Sequence, residues 1–194
     1  MEIVPYPHPA LRRKSKPIAR IDKRLRRIVG EMFELMYAGN GIGLAANQVG
    51  LPYRVFVANV TGDPEQREQE WVFINPEIVR RRGSVEAEEG CLSFPELFAP
   101  VRRSAEIIVE AFDLNGSEFE MRLDDLAARV VQHETDHLDG ILFIDRMAES
   151  VRRELAPQLA DFENYFRRQQ AQGRYPADEQ ILRELEDLEG RLCA

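Results

Sequence analysis

Between Asp22 and about Ala38 the apolar residues Leu25, Ile28, Val29, Met32, Phe33 and Met36 recur at every third or fourth position. That spacing lines one face of an α-helix, with Asp22 placed to cap its start and Gly39-Asn40 to stop it. Tyr53 to Ala58 changes character to β-branched and aromatic residues and reads as a strand. Residues 61–70 read as a polar loop, followed by extended stretches at Trp71 to Ile74 and Ile78 to Ala87 and a turn-like segment from Glu88 to Pro95. Further on, Ile107, Val109 and Ala111 alternate with polar residues, Asn115-Gly116 supplies a turn, and Phe119, Met121 and Leu123 alternate back, which predicts a hairpin.

A second helix is expected from Asp124 or Asp125 to Leu138, closed by Gly140. Helix, strands, hairpin, helix is the order of an α+β domain. Beyond Met147 the chain becomes Arg-, Glu- and Gln-rich helix, interrupted at Pro157 and at Gly173 to Pro176. The division expected is a catalytic domain over 1–147 and a helical extension over 148–194. In the last helix Ile181, Leu185, Leu188 and Leu192 form a narrow apolar seam, too short to be stable alone, so it must pack on its own domain or on a partner.

A chain of 194 residues holds one well-cored domain with appendages. No apolar run is long enough to span a bilayer, and Met1 to Ile18 lacks the apolar core of a secretory signal, so a cytoplasmic, membrane-free protein is expected. Residues 1–40 carry nine basic and four acidic side chains, residues 41–148 ten and twenty, and residues 149–194 seven and ten. The strongly acidic middle repels phosphate backbones and speaks against DNA binding. The basic cluster Arg12, Arg13, Lys14, Lys16 and Arg20 is expected to be solvated surface. Two cysteines, Cys91 and Cys193, make no disulfide framework and leave Cys91 free for other chemistry.

Candidate chemistry centres on His133-Glu134-Thr135-Asp136-His137 in the second predicted helix. Four residues advance a helix by ~400°, so both imidazoles lie on one face and can converge on one metal ion. Glu134 can reach a water at that ion and move its proton. A hydrolytic site needs a third protein ligand and an open position. The extended metalloprotease pattern is followed as far as Gly140 but has Phe143 where its third histidine belongs. His8 lies among prolines and reads as a surface or packing residue, which leaves Cys91, in the setting Glu88-Glu89-Gly90-Cys91-Leu92-Ser93, as the better candidate.

Three segments, Gly41-Ile42-Gly43-Leu44-Ala45-Ala46-Asn47-Gln48, Glu89-Gly90-Cys91-Leu92-Ser93 and Gln132-His133-Glu134-Thr135-Asp136-His137-Leu138, resemble the motifs of the peptide deformylases in order and approximate spacing. The resemblance covers roughly residues 2–147 and includes Pro9-Ala10-Leu11-Arg12. It implies antiparallel strands wrapped around a central helix bearing the His pair, with an N-terminal helix and a C-terminal helical extension. By the same resemblance Cys91, His133 and His137 hold the metal, Glu134 is general base and then acid, and the Gln48 side chain and Leu92 amide stabilise the oxyanion. Ile42, Gly43, Gly90, Leu126, Val130 and the stem of Arg129 would surround the substrate, an N-formyl-methionyl nascent peptide, and a contact with the ribosome is a further implication.

Two departures bear on specificity: Arg129 stands where many bacterial relatives carry an aliphatic residue, and Phe98 where some carry a basic one. One thiolate and two imidazoles would, by ligand type, be assigned to zinc. The resemblance instead implies Fe2+, with Zn2+, Ni2+ or Co2+ as substitutes. The rival expectations are a metallopeptidase that cuts peptide bonds, and a non-enzymatic scaffold that keeps a structural metal or binds the ribosome.

Overall fold

The computed structural model describes residues 1–193. Asp22 accepts from the amides of Arg24 and Leu25 and so caps helix α1, Lys23–Ala38, whose six predicted apolar residues are all buried. Strands β1 (Gly43–Ala45), β2 (Val55–Ala58) and β3 (Trp71–Arg82) follow, then β4 (Val85–Cys91), β5 (Phe94–Arg103), β6 (Glu106–Phe112) and β7 (Glu118–Asp124). Helix α2, Asp125–Leu138, succeeds them, and α3 (Glu149–Ala171) and α4 (Asp178–Leu192) complete the described chain. The strands form a five-stranded antiparallel sheet in the order β1-β2-β3-β6-β7 and a separate antiparallel pair, β4-β5.

Helix α2 is the centre of the molecule. Ala128, Val130, Val131 and Leu138 pack on Phe56, Phe73, Ile107 and Val109 of the large sheet, and α1 covers β1 and β2 from another side. The fold is therefore the α+β arrangement expected, with strands around a central helix. Among the described residues no helix is long and apolar enough to cross a membrane.

The structure corrects four expectations. The two extended stretches at 71–74 and 78–87 belong to one strand as far as Arg82, bulged where Asn75 takes a positive φ of 53°. The Asn75 side chain exchanges two hydrogen bonds with the Ile18 backbone, so the break holds the N-terminal segment. The segment 88–95 is mostly strand: β4 runs to Cys91, and only Leu92 and Ser93 turn before β5. Pro95 and Pro100 disguise β5, yet a two-stranded sheet has only edges, where a missing amide is tolerated, and Phe94, Leu97, Ala99 and Val101 are buried along it.

Pro157 does not interrupt α3; it lies on the exposed face of a continuous helix, where the carbonyl it frees can be hydrated. Arg12 and Arg13 are not simply solvated surface. Arg12 pairs with Asp145, and Arg13 Nε donates to Glu189 of α4 at 2.7 Å, so two of the five basic residues hold elements together. The α4 seam packs on its own chain: Ile181 and Leu185 meet Ala10 and Phe166, while Leu188 and Leu192 join the α1 cluster. The Ala19 amide also donates to the Leu192 carbonyl, and the Tyr53 hydroxyl to that of Leu188.

Candidate active site

One turn of α2 brings His133 and His137 together, with ring centroids 4.9 Å apart. At the end of β4 the pairing register shifts between Gly90 and Cys91. Cys91 Sγ lies 3.3 Å from His137 Nε2, and one ligand atom from each of Cys91, His133 and His137 falls within 4.8 Å of the others. The donor set suits a divalent cation. His133 Nδ1 faces Glu89 Oε2 at 3.0 Å, which places its proton there and leaves Nε2 for the site.

Electrostatics agree with that fit. Burial pushes the His133 pKa down, but its hydrogen bonds to Cys91 and Glu89 prevail and raise it to about 10. His137 is held well below its ordinary value by burial and by His133 and Arg103. That preference for positive charge beside the Cys91 sulfur and the Glu89 carboxylate suits a cation, which on binding would take the place of the proton on His133 Nε2.

Glu134 is buried one residue along the helix. Burial raises its pKa to about 7, against the opposing pull of His133 and Arg103, so the carboxyl can accept and release a proton near neutrality. Its Oε2 has no hydrogen-bond partner among the described residues. A Cβ on Gly43 would come within 2.5 Å of Glu134 Oε1, so glycine in β1 is required by the approach of that carboxyl. A Cβ on Gly90 would meet the Phe98 ring at 2.6 Å, so a larger residue there would push that exposed ring from its place on the rim.

The short helical turn Ala46–Val49 supplies the facing wall. Gln48 Oε1 accepts from the Ala45 amide at 2.8 Å, which turns Nε2 toward Cys91 Sγ, 3.4 Å away. Asn47 donates to the His137 carbonyl and ties this turn to α2. Of the twelve residues singled out from the sequence, eleven line one cavity of about 640 Å³, and His137 alone lies behind its wall. Ile42, Gly43, Gly90, Leu92, Leu126, Arg129 and Val130 give it an apolar lining, with Gln48, Cys91, His133 and Glu134 at its polar end. Phe98 and Leu126 stand on its rim, 59% and 49% exposed.

Arg129 contributes its stem to the cavity, while its guanidinium turns away to Glu89 and to the carbonyls of Val85 and Val101. Reading the sequence left Glu89, Arg103 and Asp136 without roles. Glu89 is buried and accepts from Arg103 Nε at 2.8 Å and Arg103 Nη2 at 2.9 Å as well as from Arg129 and His133. Burial alone would raise its pKa, but the bonds from Arg103 and His133 hold it well below the usual carboxylate range. Arg103 also donates to Asp136, which accepts from Arg146. An acidic residue two positions before the candidate thiolate was the available signal for Glu89; Arg103 closes a strand that prolines concealed.

Comparison with known proteins places these features in a family context. The family model described as polypeptide deformylase matches residues 1–153. The chain is 48% identical over 182 residues to a peptide deformylase of Rhodopirellula baltica, an alignment that spans 94% of this chain and 90% of that protein. Among solved structures it is similar to peptide deformylase 1B of Arabidopsis thaliana bound to an inhibitor, with TM-score 0.84, 40% identity and coverage of 91% and 96% of the two chains. Similarity to peptide deformylase of Plasmodium falciparum gives TM-score 0.83 at 38% identity, covering 86% and 97%.

Proposed function

Since the chain belongs to the polypeptide deformylase family, enzymes that remove the N-formyl group from nascent peptides, we propose that it acts as a metal-dependent hydrolase on N-terminal formyl-methionine and releases formate. The observation that carries this reading is the buried Glu134 carboxyl, poised near neutrality beside the Cys91, His133 and His137 group at the end of an apolar cleft.

In this reading Cys91, His133 and His137 hold the ion. A divalent cation there supplies Lewis acidity and makes a water easier to deprotonate at neutral pH. Glu134 takes the proton of the attacking water and returns it to the departing amine. Gln48, fixed through Oε1, aims Nε2 at the oxygen that becomes negative, and the Leu92 amide is the second donor. Donors set in advance in this way are worth about 3–4 kcal/mol each. Ile42, Leu126, Val130 and the Arg129 stem enclose the methionine side chain, while Gly43 and Gly90 leave room for the peptide. The remainder of the substrate lies extended along a strand edge as an added strand.

The ion proposed is Fe2+, with Zn2+, Ni2+ or Co2+ able to substitute. Ligand type alone favours zinc, but a formamide hydrolase gains from an ion that readily accepts a fifth ligand, and ferrous iron does so more easily. Residues 1–147 form the catalytic unit in this proposal and residues 148–194 a buttressing extension. Its place of action is the cytoplasm, on chains leaving the ribosome.

The test is turnover of formyl-Met-Ala by one apo preparation reloaded anaerobically with iron, nickel or zinc. Formate release without cleavage of the Met-Ala bond is expected, faster with iron and nickel than with zinc. Zinc equal to iron would overturn the metal assignment, and release of free alanine would favour the peptidase reading.

A further inference from the structure

Within the acidic segment 41–148, four of the ten basic side chains meet at a second cavity of about 270 Å³, formed where the ends of β3, β4 and β5 approach α2. It shares no lining residue with the catalytic cleft. Arg81, Arg102, Arg103 and Arg146 line it together with Ser84 and Ser104, and the one carboxylate in its wall is Asp136.

The guanidiniums play different parts. Arg103 is buried at the base, with all its nitrogens committed to Glu89 and Asp136. Arg146 gives Nε and Nη2 to Asp136, which leaves Nη1 without a partner among the described residues. Arg81 spends only Nη1, on the Ile78 carbonyl. The Arg102 guanidinium makes no hydrogen bond among the described residues and approaches Glu86 only at 3.6 Å. Counting Arg129, which shares Glu89, five guanidiniums stand against the carboxylates Glu86, Glu89 and Asp136. A surplus of positive charge around a concave pocket, with uncommitted forked donors and two hydroxyls, is the recognition chemistry of a tetrahedral oxyanion.

From this we infer that the pocket binds a small free oxyanion of the phosphate class. The acidic surroundings disfavour a long polyanion, so a compact ion is the occupant that fits both the pocket and its setting. The inference does not rest on the deformylation reading, because no lining residue belongs to the Cys91, His133 and His137 group or to the catalytic cleft.

Titration calorimetry of inorganic phosphate into the nickel-loaded full chain, at low ionic strength in chloride, tests it. One saturable site per chain is expected. The double substitution Arg81→Ala, Arg102→Ala should weaken it by about tenfold or more, since it removes the guanidiniums whose donors are least committed within the protein. Arg27→Ala, exposed on α1, should leave it unchanged. If the double variant folds poorly, Arg102→Glu places a carboxylate in the wall and should abolish binding by itself. Absence of saturable binding would overturn the inference, as would binding that survives the double substitution, because phosphate would then sit on the metal. It would also fail if a short single-stranded RNA bound through these arginines while free phosphate did not.

Discussion

Helices α2 and α4 are nearly equal in length, 14 and 15 residues, and are built on opposite plans. Every residue of α2 from Ala128 to Leu138 is buried, including the ionisable Arg129, His133, Glu134, Asp136 and His137. In α4 only Ile181, Leu185 and Leu192 are buried, and the acidic residues between them mostly face solvent. A helix can therefore be held by an apolar seam with its charges hydrated, or enclosed on all sides with its charges answered by partners. The second plan is expensive, and here it coincides with the candidate chemistry, where fixed charges in a dry place are worth most.

The largest effect expected from the comparison is on turnover. Glu134→Gln keeps the shape of a buried α2 side chain and removes its proton traffic, so kcat should fall by roughly 10²–10⁴-fold with metal content unchanged. Near-normal turnover at full metal occupancy would exclude Glu134 as the proton carrier.

Next in size is the answering charge. Glu89→Ala strands Arg103 and Arg129 and releases the His133 ring, which should destabilise the protein by about 3–5 kcal/mol and weaken metal binding about 10–100-fold. The same change at Glu184, exposed on α4, should stay within about 0.5 kcal/mol. Denaturant titration of both variants measures the contrast; equal effects would erase it.

Deleting residues from Gly173 onward tests the seam itself. Each buried aliphatic residue contributes about 1.5–3 kcal/mol, less the entropy of ordering the helix. A net loss of about 3–4 kcal/mol is expected, seen as a Tm lower by roughly 10 °C, with the metal-to-protein ratio unchanged. An unaltered Tm would mean that α4 adds nothing to the domain.

The two plans also differ in legibility. The seams of α1 and α4 follow a 3.6-residue period, and the sequence alone located both helices, because apolar periodicity is a local property. That Cys91, His133 and His137 could gather was equally readable, since His133 and His137 share a face by spacing alone and Cys91 followed from a motif. What the sequence could not disclose was the answering charge. Arg103 reaches Glu89 and Asp136 only because β5 folds back on β4, and Pro95 and Pro100 hid that strand. Nor did the overall charge of residues 41–148 reveal four arginines converging on one cavity, because a sum over sequence carries no position.

The smallest effect predicted lies at His8, where the N-terminal segment meets the helical extension. Its ring is buried against Phe166 and Tyr175, and Nδ1 accepts from the Ala10 amide at 3.2 Å, so it joins the N-terminal segment to the extension. Burial pushes its pKa down to about 4, although Asp178 and Glu184 pull the other way. An unfolded histidine titrates near ~6.5, so between those values the unfolded chain binds the additional proton and folding weakens as pH falls. The stability tied to a neutral His8 is present above pH ~6.5 and is lost as the pH drops through about 4. It amounts to about 3 kcal/mol at most, at about 1.36 kcal/mol per pKa unit. His8→Asn keeps an acceptor for Ala10 but cannot take a charge, so the wild type should lose more stability than the variant over that interval. In the chain truncated at Gly173 the Tyr175 contact is gone and the ring is less enclosed, so the effect of His8→Asn on the pH profile should shrink there. Parallel pH profiles for wild type and variant would show that the ring is not held neutral, and that the extension touches the core without controlling its titration.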